Sequence, residues 1–161
     1  MRADAPKRAA SGSGPHRLEH EIRLRAGVGR VWTLLEDPEE IRKWNPEIRQ
    51  ITPAPGGGGR FGLGATFRQR IRIGLLPTTC RGEVVASSAE RRQVVVVHHA
   101  LFNLTIEYLL DAVGQSTRLR CHAAIEGRGL GAAMPTAHVE GVTFALLEEH
   151  LEALKALAER R

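Results

Sequence analysis

The sequence has few aromatic residues, and its arginines are spread along the chain rather than clustered. Aromatic side chains make up 4% of the residues. A protein that binds nucleic acid usually combines clustered basic residues with aromatic rings on which bases stack. The sequence lacks that combination, so we expect no nucleic-acid partner.

Cysteines and long apolar runs are also scarce. Cys80 and Cys121 are the only cysteines, and neither lies in a CxxC pattern. This spacing argues against a disulfide framework, so we expect two reduced, buried thiols. No segment approaches the roughly 20 apolar residues that a membrane-spanning helix needs, so stable membrane insertion is not expected. The first residues lack the apolar core of a secretory signal, which makes the cytoplasm the expected location.

The composition that is present is typical of a globular protein. A chain of 161 residues with 42% hydrophobic residues can form one domain with an ordinary core. The formal net charge of +5 favours solubility and attracts anions. Residues 1–15 are rich in alanine, glycine, serine and proline without periodicity, which predicts a flexible tail. Residues 16–161 are predicted to form a single domain.

Hydrophobic periodicity predicts a strand and two short helices at the start of this domain. From Arg17, apolar and charged residues alternate with a period of two, which is typical of a half-buried strand. Apolar residues then repeat at helical spacing from Val28 to Leu35. Asp37 and Pro38 predict the start of a second helix, because aspartate caps free amide groups and proline fits the first turn.

The remainder of the sequence predicts a meander of strands followed by a long helix. Strand patterns follow one another between residues 66 and 125, and turn residues such as Gly74 and Gly114 separate them. Short connections favour antiparallel neighbours. After Gly131 the apolar period becomes helical up to the C-terminus. The predicted fold class is α+β, with a curved antiparallel sheet of six to seven strands around a long C-terminal helix.

The order of the elements and several local motifs resemble a known superfamily. Residues 21–26 (EIRLRA), 31–32 (VW), 37–38 (DP) and 44–46 (WNP) resemble the START-like superfamily. More narrowly, they look like its bacterial polyketide cyclase/dehydrase-like branch, often called SRPBCC proteins. The resemblance implies a helix-grip fold with a cavity between the sheet and the last helix. Members bind lipids, sterols, plant hormones, quinones or polyketides there, and some also cyclise or dehydrate them.

The strand alternation predicts which side chains face this cavity. An apolar wall with a few polar groups is typical of a small-molecule site. The same side chains could instead fill a solid core, and the sequence leaves both alternatives open. The predicted ligand-binding residues are Phe67, Gln69, Ile71, Cys80, Leu104, Ile106, Tyr108, Leu119, Cys121, Ala123, Gly141, Phe144 and Ala145.

Two glycine features have competing explanations. Gly141 interrupts the last helix at a cost of about 1 kcal/mol relative to alanine. It either makes room for a ligand or allows close packing against the sheet. Residues 57–62 (GGGRFG) match GxGxxG, but prolines precede them and a strand pattern follows. That context does not suit a dinucleotide site, so we predict a mobile loop near the cavity mouth.

A basic row is predicted on the outer face of the sheet. Arg68, Arg70 and Arg72 alternate with apolar residues, so they share one face. We expect them to be solvated and paired in part with Glu83 and Glu107. An anionic partner or a membrane surface is the alternative.

Candidates for catalysis are few. The candidates for an acid–base role are Tyr108, His98 and His99. Neighbouring strand residues point to opposite faces, so His98 and His99 cannot ligate one metal ion together, and one of them is expected to face the cavity. No metal site and no cofactor are predicted. An enzyme of this kind would be a cyclase or dehydratase whose pocket orients a reactive chain and excludes water.

Three functions are compatible with the sequence. The preferred one is binding of a small hydrophobic or amphipathic molecule in the cavity. A polyketide cyclase or dehydratase would use the same cavity, and a protein-interaction module of the co-chaperone type would use the surface. Polar groups paired around one ligand atom would favour the enzyme. The ligand and the oligomeric state stay open.

Overall fold

The computed structural model describes residues 7–8, 15–133 and 136–160. The strands are β1 (Lys7–Arg8), β2 (His16–Leu24), β3 (Ile48–Pro53), β4 (Thr66–Ile73), β5 (Leu76–Ser88), β6 (Arg92–His98), β7 (Phe102–Val113) and β8 (Ser116–Gly127). The helices are α1 (Val28–Glu36), α2 (Pro38–Trp44), a 3₁₀ helix (Gly129–Ala133) and α3 (Thr136–Ala158).

The strands form one curved antiparallel sheet in the order β1-β2-β8-β7-β6-β5-β4-β3. β3 to β8 follow one another as a meander, and β2 pairs with β8. The seven long strands, the helix pair and α3 confirm the predicted helix-grip fold. The predicted tail, residues 1–15, lies outside the described residues, except for Pro15 and for β1, which pairs with β2.

The predicted alternation in β2 matches the burial of its side chains. Leu18, Ile22 and Leu24 are buried, whereas Glu19 and Glu21 are exposed. A strand with one apolar face needs something to cover that face. α3 provides the cover, since Phe144 and Leu147 pack against Leu18 and Ala123.

The helix pair is held by one cap and one buried hydrogen bond. Asp37 precedes α2, and its carboxylate accepts a hydrogen bond from the Glu39 amide at 2.9 Å. The indole Nε1 of Trp44 donates to the carbonyl oxygen of Leu34 at 2.8 Å, which ties the end of α2 to α1. The two hydrogen bonds fix the start of α2 and hold its end against α1.

α3 closes the domain by covering the sheet and the helix pair. Leu151, Leu154 and Ala158 are buried in the main core together with residues of α1 and α2. Glu148, Glu149 and Glu152 lie outside this buried stripe. No helix in the described part of the chain is long and apolar enough to cross a membrane.

Replacing Gly141 with alanine is expected to raise the free energy of unfolding by roughly 0.5–1 kcal/mol. Gly141 is exposed, and a Cβ atom added to it meets no heavy atom within 4 Å in the described chain. Alanine therefore gains helix propensity without a clash. Urea unfolding of the two proteins measures the change, and a loss of stability in the alanine variant would contradict this reasoning.

Candidate ligand-binding cavity

A cavity of about 600 Å³ lies between the concave face of the sheet and the helices α2 and α3. The strands contribute Phe67, Gln69, Ile71, Gln93, Val95, Val97, Phe102, Leu104, Ile106 and Tyr108 to its wall. The helices contribute Ile41, Trp44, Val142, Thr143, Leu146, Leu147 and His150. Small-molecule sites are usually apolar clefts of about 300–1,000 Å³ with a few polar groups. This cavity has that size and that composition.

The predicted ligand-binding residues fall into three groups. Phe67, Gln69, Ile71, Leu104, Ile106 and Tyr108 border the cavity. Cys80, Leu119, Cys121, Ala123 and Phe144 are buried but do not border it, and Gly141 and Ala145 are exposed. On β8, Leu119, Cys121 and Ala123 share hydrophobic clusters with buried residues of α3, which packs mainly on β2 and on the helix pair. Ile125, nearer the end of β8, borders the cavity instead.

The cavity has a buried inner end and an exposed mouth. Trp44 and Tyr108 are buried at the inner end, close to α1 and α2. Val142, near the start of α3, is 49% exposed, and the exposed residues Arg72 and Gly74 border the cavity at the end of β4. The mouth therefore lies between the start of α3 and the turn that connects β4 to β5.

Polar side chains interrupt the apolar wall at the inner end. Tyr108 is buried, and its hydroxyl makes no hydrogen bond to another described residue. Burial disfavours the phenolate and, with a smaller contribution from Cys121, raises the pKa of Tyr108 well above its usual value. Gln93 lies opposite Tyr108 on β6, and its Nε2 donates to the carbonyl oxygen of Phe61 at 3.0 Å. Tyr108 is thus a neutral donor that faces an apolar space.

A histidine–glutamate pair also borders the cavity. His150 on α3 is buried, and its Nε2 lies 2.5 Å from Oε2 of Glu47 in the loop between α2 and β3. No local sequence pattern predicts this pair, because 103 residues separate its members. The available sequence clue was the position of His150 on the apolar stripe of α3, between Leu147 and Leu154. When Nε2–H donates a hydrogen bond to the carboxylate, Nδ1 of the neutral ring carries no proton and is a potential base.

The sequence matches that of a known protein family. The sequence profile of the family described as polyketide cyclase / dehydrase and lipid transport matches residues 15–159. The chain belongs to this family. The membership confirms the resemblance that the motifs of the first two helices indicated.

Solved structures share the fold of this family member at low sequence identity. A START superfamily protein from Mycobacterium smegmatis has a TM-score of 0.75 and 19% identity, covering 89% of this chain and 97% of its own. A conserved protein from Geobacillus kaustophilus has a TM-score of 0.71 and 17% identity, covering 88% and 94%. Truncated norcoclaurine synthase from Thalictrum flavum has a TM-score of 0.68 and 14% identity, covering 95% and 99%. No curated protein matches the sequence.

His98 and His99 both lie outside the cavity of this family member. His98 is half-buried at the end of β6, and its Nδ1 lies 2.9 Å from Oδ1 of Asn103. His99 is buried beyond the end of the strand, where its Nδ1 accepts a hydrogen bond from the Leu101 amide at 3.1 Å. Its Nε2 therefore carries the proton and donates to Oγ1 of Thr78 at 3.0 Å. Among the described residues, no cluster of three or more histidine, cysteine or acidic side chains could hold a metal ion.

The stability that His99 contributes is expected to decrease in acid. Burial lowers the pKa of His99 below its ordinary value of 6.5. Below pH 6.5 the unfolded chain takes up a proton that the native histidine resists, so the free energy of unfolding falls as the pH falls. We expect His99→Gln to lose less stability than the wild type when the pH is lowered from about 7.5 to 5.5. Urea unfolding at both pH values tests this, and an equal loss in the two proteins would contradict it.

The basic row on β4 is exposed, but it is not paired as predicted. Glu107 forms its ion pair with Arg92 at 2.6 Å, and Glu83 forms none within the described ranges. Arg68, Arg70 and Arg72 also take part in no ion pair with a described carboxylate. The cause is register, since Arg92 on β6 lies near Glu107 on β7, whereas the β4 arginines face Thr79 and Arg81 of β5.

Proposed function

We propose that this protein binds a small hydrophobic or amphipathic molecule in the cavity between the sheet and α3. The observation that carries the proposal is an apolar cavity of about 600 Å³ with an unpartnered Tyr108 hydroxyl at its inner end. The hydroxyl opens on the cavity, so a ligand oxygen or nitrogen beside Tyr108 would find a hydrogen-bond donor there. The cytoplasmic location expected from the sequence is part of the proposal.

The distribution of polar groups supports an amphipathic ligand. The middle of the cavity is bordered by aliphatic side chains such as Val95, Leu104 and Ile106. Tyr108 lies at the inner end, and the exposed Arg72 lies at the mouth. A ligand with an apolar body and one polar group at either end would satisfy this arrangement. The description of the family as including both cyclases and lipid transport is consistent with such a ligand.

A thermal-shift screen with a cavity-filling variant tests the proposal. The probes are a long-chain fatty acid, a quinone and an aromatic polyketide. A ligand at about 100 times its Kd should stabilise the wild type by about 2.7 kcal/mol. Ile106→Trp places an indole in the cavity and should abolish the shift, whereas Thr105→Trp, on the opposite face of β7, should keep it. No shift with any probe, or an unchanged shift in Ile106→Trp, would count against cavity binding.

Removal of the Tyr108 hydroxyl is expected to weaken binding without destabilising the fold. Because no described residue pairs with the hydroxyl, Tyr108→Phe should have a free energy of unfolding equal to or above that of the wild type. Its affinity for the stabilising probe should fall by roughly 3- to 10-fold, which corresponds to one lost hydrogen bond. Calorimetric titration measures the affinity, and equal affinities would show that the ligand does not reach Tyr108.

A cyclase is the second candidate function, and the His150–Glu47 pair favours it. With its Nε2–H donating a hydrogen bond to Glu47, His150 could use Nδ1 to remove a proton from a carbon that lies between two carbonyl groups. The neutral Tyr108 hydroxyl could donate to the enolate oxygen that forms. The enolate carbon would then attack another carbonyl of the same chain, and the alkoxide that forms would take the proton back from Nδ1 of His150, which regenerates the base.

Proton exchange on an aryl β-diketone in D₂O tests this second function. We expect the protein to accelerate deuterium incorporation at the carbon between the carbonyls, as followed by NMR. His150→Gln should lose the acceleration, and His98→Gln, altered outside the cavity, should retain it. Exchange at the same rate with and without protein would leave binding as the better proposal.

A further inference from the structure

The hairpin formed by β4 and β5 ends in two exposed leucines. Gly74 and Leu75 form its two-residue turn, and the φ angle of 60° at Gly74 suits the first position of a type II′ turn. Leu75 is 88% exposed and Leu76 is 74% exposed. Turn positions usually carry polar residues or glycine. Because they stay exposed, these two leucines contribute almost no burial free energy to the folding of the described chain.

Two other segments present leucines at the same end of the sheet. The Thr78–His99 hydrogen bond links the β4–β5 hairpin to the turn between β6 and β7, which contains the exposed Leu101. The carbonyl oxygen of Leu101 accepts a hydrogen bond from the amide of Arg128 at 2.8 Å. Arg128 directly precedes the 3₁₀ helix, so this contact places the helix beside the turn. Leu130 in that helix is 85% exposed. Single exposed leucines are ordinary, whereas a group at one end of a molecule indicates an interaction site.

Arginines without an ion-pair partner in the described chain lie on β3 and β4, beside the hairpin leucines. Arg49, Arg70 and Arg72 are exposed on β3 and β4, and none forms an ion pair with a described carboxylate. Among the carboxylates near this end, Glu47 is held by His150, and Glu126 is exposed on β8. Glu140 of α3 is paired with His16, so the exposed charge on the β3–β4 side of this end is predominantly positive.

We propose that this end of the molecule docks on the surface of an anionic phospholipid bilayer. Leu75, Leu76, Leu101 and Leu130 would enter the boundary between headgroups and acyl chains, and Arg49, Arg70 and Arg72 would contact lipid phosphates. A protein groove would suit one continuous apolar face better than leucines on three separate turns. The charge complementarity to anionic lipid favours the bilayer.

Docking in this orientation places the cavity mouth at the membrane. Arg72 and Gly74 border the cavity and belong to the same hairpin as the exposed leucines. An apolar ligand could then move between bilayer and cavity without crossing water. The docking itself does not require a ligand, so it stands or falls independently of the proposed function.

Sedimentation with vesicles tests the docking surface. Wild-type protein should bind vesicles that contain phosphatidylglycerol and should bind pure phosphatidylcholine vesicles at least about tenfold more weakly. Rising salt should weaken the binding, because exposed charges are screened. A double variant, Leu75→Ser with Leu76→Ser, should lose about tenfold or more in affinity. The control Leu63→Ser removes a leucine that is 70% exposed near the opposite end and should bind normally.

Further variants separate the contributions of charge, folding and the cavity. Arg70→Gln with Arg72→Gln should reduce binding to phosphatidylglycerol vesicles, and Arg91→Gln, in the turn before β6, should not. Ile106→Trp should bind vesicles as the wild type does, even if the cavity is filled. Circular dichroism checks that each variant is folded.

Three outcomes would overturn the docking proposal. The first is no sedimentation of wild type with phosphatidylglycerol vesicles. The second is an equal loss of affinity in Leu63→Ser and in the Leu75/Leu76 double variant. The third is a dimer in analytical ultracentrifugation that the double variant abolishes, because a second copy of the chain would then cover the leucines.

Discussion

Replacing Gly82 with alanine is expected to lower the free energy of unfolding by about 2–3 kcal/mol. Gly82 on β5 faces the ring of Phe67 on β4, and a Cβ atom at Gly82 would lie 2.0 Å from Cζ and 2.2 Å from Cε2 of that ring. The ring is buried and stacks on Phe61 with a centroid distance of 4.4 Å. The methyl group therefore forces the ring out of a packed position, and the cavity that Phe67 borders would change shape as well.

A double-variant cycle separates this clash from other effects of the substitution. Phe67→Leu removes the ring atoms, so Gly82→Ala should cost much less in that background than in the wild type. Gly62→Ala is the matched control, because a Cβ atom there meets no heavy atom within 4 Å in the described chain. Equal costs of Gly82→Ala in the two backgrounds, measured by urea unfolding, would show that the Phe67 ring is not responsible.

Replacing Trp44 with alanine is expected to have the larger effect, a loss of about 3–5 kcal/mol. Trp44 is buried in the core cluster that joins α1, α2 and the sheet. Truncation leaves a void beside the cavity and deprives the carbonyl oxygen of Leu34 of its donor. Both effects act at the point where the helix pair is attached to the rest of the domain.

The variant Trp44→Phe separates the loss of the hydrogen bond from the loss of buried volume. Phenylalanine keeps most of the buried area but removes the indole N–H, so a loss of about 1–3 kcal/mol is expected. Trp32→Phe provides a comparison, because the Nε1 of Trp32 bonds the partly exposed carboxylate of Glu36 and its loss should cost less. A Trp44→Ala variant as stable as the wild type would contradict the role assigned to the helix pair.

The fold could be predicted because its elements are encoded locally. The alternation in β2 and the cap at Asp37 each involve residues close in sequence, and the structure confirms both. The long apolar stripe of α3 required a large surface to cover, and the sheet was the only element of that size. The pairing of the arginines could not be predicted, because it depends on the register between neighbouring strands.

The candidate site was only partly accessible to prediction. Alternation identifies the inward face of a strand but not what packs against it, so Cys121 and Ala123 face α3 while Ile106 and Tyr108 face the cavity. Alternation also fails beyond the end of a strand, as at His99. The contact between His150 and Glu47 crosses 103 residues and leaves no local pattern.

Native mass spectrometry of the protein purified from its host tests the central claim most directly. A binding cavity predicts a stoichiometric small molecule that is present under native conditions, leaves on denaturation and is absent from Ile106→Trp. The mass of that molecule would also separate a lipid from a polyketide. A wild-type protein that carries no such molecule, and that none of the fatty acid, quinone and polyketide probes stabilises, would contradict ligand binding in this cavity.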